Sequence, residues 1–84
     1  MHRTNLRFWR HFDRLSESVQ EVARENYELL KSNPRHPSLR FGKVGRYWSV
    51  RVGSAHRALA EEDSEGLVWF WIGDHDEYER LLRS

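Results

Sequence analysis

Residues 47–59 read YWSVRVGSAHRAL. Trp48, Val50 and Val52 alternate with Tyr47, Ser49 and Arg51, the period-two pattern of a strand with one buried face. Gly53-Ser54 interrupts the run with turn chemistry, and a second strand is expected from about His56 to Glu61. The stretch is therefore a hairpin in mid-chain, and its register decides where two arginines point. One pairing sets Arg51 opposite Arg57 on a single face, which is unfavourable for like charges unless an anion bridges them. A two-residue Gly53-Ser54 turn carries Arg57 to the Val50 face instead. The sequence leaves both pairings open.

Working outward, the period changes. Before the hairpin, Leu39 and Phe41 alternate with Arg40 and Gly42, which predicts a first strand ended by a turn at Gly45. Asn33-Pro34 stops a helix, and Pro37 is expected to keep the next segment extended. That helix begins at Ser16 or Ser18, the latter in capping-box spacing with Glu21. Val19, Val22, Ala23, Tyr27 and Leu30 give it an apolar stripe, broken by one polar residue, Asn26. A shorter helix over residues 4–14 shows Leu6, Phe8 or Trp9, Phe12 and Leu15 at helical spacing, with Thr4 or Asn5 as cap.

After the hairpin, residues 62–66 form an acidic loop. Leu67 to Ile72 is apolar on both faces and so reads as an interior strand. Asp74 can cap a last helix whose Tyr78, Leu81 and Leu82 face inward. Short loops favour sequential antiparallel pairing. The expected fold is α+β: two N-terminal helices packed on a four-stranded antiparallel sheet, with a short C-terminal helix.

Composition narrows the rest. Eighty-four residues are expected to form one domain spanning 1–84, with a small core enlarged by four Trp, four Phe and three Tyr. The absence of Cys excludes disulfides and zinc-thiolate sites, and is consistent with a reducing, cytoplasmic setting. No run approaches the roughly 20 apolar residues of a membrane span. The start, Met1-His2-Arg3-Thr4, lacks the apolar core of a signal peptide. Net charge is only +1, but its distribution is uneven. Lys31, Arg35, Arg40, Lys43, Arg46, Arg51 and Arg57 lie in one block that holds no acid, while all 13 acids lie outside it. Such a block is either a phosphate-binding footprint or a solvated basic edge.

The strand WFWI, residues 69–72, runs into Gly73, Asp74, His75, Asp76, Glu77 and Tyr78. Trp69 and Trp71 on an interior strand read as core. His75, just past a buried strand end, can project over the sheet, and an imidazole exchanges protons near neutrality. Tyr78, three residues on, can share a helix face with it. Asp76 fits the first helical turn, where it complements the dipole. Adjacent residues on a helix diverge and no HxxxH pair occurs, so neither a metal site nor any other cofactor is expected.

Three stretches in order carry a family likeness. LLKSNPRHPSLRF (29–41), YWSVRVGSAHRAL (47–59) and VWFWIG followed by HDEY (68–73 and 75–78) resemble the RelE/ParE superfamily of toxins from bacterial toxin–antitoxin operons. The hairpin, through Trp48, Ser49, Arg51, Val52, His56 and Arg57, is similar to that of the YoeB/Txe toxins. The resemblance covers roughly residues 29–82. It implies a metal-independent, ribosome-dependent mRNA endoribonuclease that inhibits translation, a ParE-like DNA gyrase poison, or an inactive toxin that only binds its antitoxin. Implied partners are a cognate antitoxin protein, and for a nuclease the ribosome and mRNA.

For the nuclease, the resemblance assigns Arg57 to the scissile phosphate and His75 to acid–base chemistry. Arg51 is a second cation and Tyr78 a stacking or phosphate-binding group. Lys43, Arg40, Arg46 and His36 are candidates for binding RNA or phosphate. The chain departs from the YoeB/Txe pattern in one respect. Those toxins carry a Glu general base before the hairpin, and this region here has no acid. His36 lies in the matching segment.

Overall fold

A computed structural model describes residues 2–83. Strand β1 (His2–Thr4) leads into helix α1 (Leu6–Phe12) and helix α2 (Glu17–Ser32). A 3-10 turn at Pro37–Leu39 precedes strands β2 (Gly42–Val44), β3 (Tyr47–Val52), β4 (His56–Asp63) and β5 (Gly66–Asp74), and helix α3 (His75–Arg83) follows.

The caps fall where short polar side chains were expected. Asn5 accepts from the Phe8 amide and Ser16 from the Val19 amide, each satisfying an orphan donor of a first turn. Asn33 closes α2 immediately before Pro34. Asp74 Oδ1 accepts from the Glu77 amide at 2.9 Å and starts α3.

The class is α+β as expected, but the sheet has five strands rather than four and is mixed rather than wholly antiparallel. Its order is β1-β5-β4-β3-β2, with β1 parallel to β5 and every other pair antiparallel. His2-Arg3-Thr4 carries no apolar alternation, so only its backbone pairing with Leu67–Trp69 makes it a strand. That contact spans more than sixty residues of sequence and leaves no local signal. Asn5 N–H continues the pairing to the Trp69 carbonyl at 3.2 Å. Helix α1 then follows the same edge of β5. Its Phe8 and Phe12 join the core beneath α2, while Arg7 lies over the Phe70 ring and His11 beside Trp71.

The first predicted strand is also displaced. Leu39 lies in the 3-10 turn, fully buried, and the strand begins only at Gly42. Pro37 has the φ that a first helical position needs, His36 caps the turn, and Arg40 leaves it in the left-handed region at φ 45°. Leu39 and Phe41 both reach the same core, so their spacing mimicked a strand face.

Two layers of side chains flank the sheet. On one face Phe12, Ala23 and Leu30 of α1 and α2 meet Val50, Val52, Ala58, Ala60, Trp69 and Ile72. On the other, Tyr78 and Leu82 of α3 cover Leu59, Phe70 and Trp71, with Tyr47 alongside. Trp69 and Trp71 are core residues on opposite faces, at 2% and 5% exposure. A bulge explains why neighbours Phe70 and Trp71 share a face. Leu59 pairs with Trp71 and Ala60 with Trp69, leaving Phe70 as the extra residue. No helix among the described residues is long and apolar enough to cross a membrane.

Candidate functional site

The β3–β4 register settles the question the sequence left open. Arg51 pairs directly with Arg57, and Val52 with His56, across a three-residue loop, Gly53-Ser54-Ala55. The two-residue turn is excluded because Gly53, Ser54 and Ala55 all lie outside the ladder. Alternation along the strands puts Arg51 and Arg57 on the same face as Ser49 and Leu59, the face that carries α3.

Directly opposed side chains have Cβ atoms about 4.5–5.5 Å apart, so two guanidinium stems here run side by side. Both residues are half-buried. Among the described residues neither has a carboxylate within ion-pair distance. Arg51 Nε donates to the Gly53 carbonyl at 3.0 Å, which leaves its two terminal nitrogens for an anion. The Arg57 guanidinium lies over the Tyr78 ring, 5.3 Å from the centroid. A guanidinium over a ring face still has N–H donors available for recognition of phosphate.

Helix α3 brings the third group. The His75 amide donates to the Ala55 carbonyl at 3.0 Å, fastening the start of α3 to the hairpin tip. The His75 ring lies 5.8 Å from the Tyr78 ring, on the side chain that carries Arg57. It is half exposed, and its Nε2 is 3.7 Å from Glu79 Oε1, a loose pairing one helical turn on. Tyr78, 6% exposed, is first an anchor of α3 on Trp71 and Leu59, and only its contact with Arg57 links it to the cations. Asp76 makes no hydrogen bond to His75 among the described residues, in keeping with a first-turn acid.

The other candidates do not gather at this spot. Lys43 pairs with Trp48, whose ring lies over the α1–α2 face, and its Nζ is 3.9 Å from Glu62. Arg46 folds onto its neighbour Tyr47, 5.1 Å from the ring centroid and 3.0 Å from the hydroxyl. His36 Nδ1 is held by the Ser38 amide and hydroxyl at 3.2 and 2.8 Å. Arg40 is exposed at the end of the 3-10 turn.

Three residues at or behind the site were not among the candidates read from sequence. Gly73 pairs with Arg57, and a Cβ there would lie 2.5 Å from Trp71 Cζ2, so only glycine lets the indole fold across it. Ser49, 1% exposed, holds a hydroxyl on the arginine face that has no hydrogen-bond partner among the described residues. Asn26, the polar break in the α2 stripe, accepts from the Gly53 amide at 3.0 Å. Ser49 and Gly73 entered the sequence reading only as parts of the strand patterns and the family likeness, and Asn26 only as the polar break.

The profile of the ParE-like toxin domain matches residues 17–80. The chain belongs to this family, and with it to the RelE/ParE superfamily of toxins. The matched span takes in α2, the four antiparallel strands and most of α3, and so the whole site. Solved structures agree in fold. The toxin of a RelB–RelE antitoxin–toxin complex from Methanococcus jannaschii superposes with a TM-score of 0.70 at 13% identity, covering 94% of this chain and 96% of that one. The isolated RelE toxin of E. coli gives 0.62 at 13% identity, with 99% and 96% covered. A copper-bound mutant toxin from Helicobacter pylori gives 0.60 at 18% identity, with 90% and 94% covered. No curated protein matches the sequence.

Proposed function

We propose that this ParE-like toxin is a metal-independent, ribosome-dependent mRNA endoribonuclease that inhibits translation in the cytoplasm. The observation that carries the reading is the opposed Arg51–Arg57 pair, in ion-pair contact with no carboxylate among the described residues, with Arg57 and His75 both against the Tyr78 ring. Two like charges in direct opposition repel, and an anion between them relieves the repulsion. A phosphate fits, because it accepts several charge-assisted hydrogen bonds at once.

In the proposed reaction the message lies with its scissile phosphate on Arg51 and Arg57. The 2′-oxygen attacks phosphorus, the bond to the 5′-oxygen breaks, and a 2′,3′-cyclic phosphate and a 5′-hydroxyl result. The guanidiniums offset charge on the phosphorane, an effect worth about 10²–10³ per preorganised group. His75 transfers the proton between the attacking and departing oxygens. Tyr78 holds Arg57 in place by stacking. Lys43, Arg40, Arg46 and His36 contact the message or ribosome away from the scissile bond. The Methanococcus jannaschii structure similar to this chain is an antitoxin–toxin complex, and a cognate antitoxin is proposed here too, its acidic segment competing for the arginine pair.

The test is induction of the wild-type chain and of His75→Ala in cells, followed by mapping of RNA 5′ ends. New 5′-hydroxyl ends within translated messages, absent with His75→Ala, are expected. Growth arrest with intact messages would sink the reading. It would then favour a gyrase poison, the alternative supported by the ParE-like profile and by the absence, among the described residues, of a carboxylate in ion-pair contact with either arginine. Accumulation of cleaved gyrase–DNA complexes in a supercoiling assay separates the two. Harmless expression without an antitoxin indicates an inactive toxin.

A further inference from the structure

We infer that Asn26, on the opposite side of the sheet, is a positioning residue for the Arg51–Arg57 anion site. The inference rests on the reading of that pair as the phosphate site. The hairpin tip is exposed and three residues long, and three hydrogen bonds tether it. Two of them use Gly53. Its N–H is taken from the α2 side by Asn26 Oδ1, and its carbonyl from the α3 side by Arg51 Nε, each at 3.0 Å. The third is His75 N–H to the Ala55 carbonyl. One left-handed glycine, φ 60°, therefore joins the two faces of the protein.

The chemistry of position 26 supports a role beyond packing. Its neighbours on the α2 stripe are Val22, Ala23, Tyr27 and Leu30, all part of the apolar core. An apolar side chain at 26 would continue that stripe. A half-buried amide instead costs desolvation unless it is paired, and its pairing is with the loop. Fixing the Gly53 N–H fixes the Val52–Gly53 peptide plane, and Val22 Cγ1, 3.3 Å from where a Gly53 Cβ would stand, blocks the tip from rocking toward α2. With the tip held, the Gly53 carbonyl stays directed at Arg51 Nε, and the terminal nitrogens of Arg51 stay beside Arg57. Without Asn26 the loop loses its tether to α2, and the Gly53 carbonyl gains freedom to rotate away. Arg51 then swings from Arg57, as repulsion between them favours.

The experiment compares Asn26→Leu, Asn26→Asp, Arg51→Ala and the Asn26→Leu/Arg51→Ala double variant in the full chain. Proton exchange at Arg51 Nε is followed by nuclear magnetic resonance. Binding of a non-cleavable 2′-deoxy-substituted RNA trinucleotide is titrated at fixed salt. Asn26→Leu should speed exchange at Arg51 Nε and weaken the trinucleotide by about five-fold, the worth of one neutral hydrogen bond. Asn26→Asp, which keeps the acceptor oxygen, should restore both. In the Arg51→Ala background, Asn26→Leu should cost nothing further. Should Asn26→Leu fail to fold, Asn26→Ala serves with the same readouts. Unchanged Arg51 Nε exchange in the variant, or a binding loss that adds in full to that of Arg51→Ala, overturns the inference. Failure of the nuclease reading shows separately, as intact messages with the wild-type chain, because the exchange measurement needs no catalysis.

Discussion

Arg51 and Arg57 face each other across the β3–β4 ladder, half-buried and, among the described residues, in ion-pair contact with no carboxylate. The pair by itself costs stability. Like charges in direct opposition are disfavoured by up to about 1 kcal/mol, and an anion reverses the sign.

Phosphate should therefore stabilise the wild-type chain more than chloride at equal ionic strength. A ligand that binds only the folded state adds about 2.7 kcal/mol at a hundredfold excess over its Kd. Arg51→Thr should abolish the difference between the two salts while leaving the chain folded. Melting curves in matched phosphate and chloride measure it, and an equal phosphate response in wild type and variant would count against the anion site.

His75 and Tyr78 should separate function from folding. His75 is half exposed, so His75→Ala should leave unfolding within about 0.5 kcal/mol of wild type. It should nevertheless lower message cleavage by about 10²–10⁴, the usual range for one acid–base group. Tyr78→Ala should instead cost about 3–5 kcal/mol by emptying its place in the core under α3. Denaturant titration beside a cleavage assay in a translating extract distinguishes them.

Two glycines are expected to resist alanine for different reasons. At Gly53 the left-handed backbone and the Val22 methyl group oppose a side chain, with an expected loss of about 1–2 kcal/mol. At Gly73 the obstacle is the Trp71 indole, and overpacking there should cost about 1–3 kcal/mol. Gly73→Ala should also perturb Trp71 fluorescence, whereas Gly53→Ala should not.

The N-terminal strand makes stability pH-dependent. The His2 ring stacks on Trp69 at 5.9 Å, and its Nδ1 accepts from the Trp69 indole N–H at 3.1 Å. Burial, and then nearby positive charge including Lys31, lowers its pKa below the usual 6.5. The unfolded chain thus binds this proton more readily than the folded one. The contribution is complete above about pH 6.5 and declines as pH falls from there toward the folded value. His11, lowered chiefly by burial, acts with the same sign. Urea midpoints between pH 5 and 8 should fall on the acid side, and less steeply in His2→Gln. Identical slopes would remove His2 from the account.

Periodicity was legible wherever one face of an element is buried. The α2 stripe, the β3 alternation, the doubly apolar β5 and the cap at Asp74 could be read from neighbouring residues, while Asn5 and Ser16 are the caps among paired candidates, Ser16 rather than the Ser18 of the capping-box spacing. Strand β1 could not, because His2-Arg3-Thr4 becomes a strand only by lending backbone groups to β5. The Pro37–Leu39 turn was misread as strand because burial of Leu39 and Phe41 in one core produces the same spacing. The bulge that places Phe70 beside Trp71 was hidden for a related reason: an apolar run fits both faces equally well.

Of the site, the sequence by itself supplied the ingredients: an acid-free basic block, a hairpin carrying two arginines, and a histidine past the last strand. It also marked Asn26 as the exception in an apolar stripe. Tertiary structure alone chose among the possible arrangements. Side-chain direction in a strand reverses with each residue, so the one extra loop residue, Ala55, decides whether Arg57 meets Arg51 or turns to the other face. The same folding step sent Lys43 to the opposite face beside Glu62 and laid Tyr78 beneath Arg57. A chain encodes which groups it carries, but only a closed register fixes which of them share a few ångströms of space.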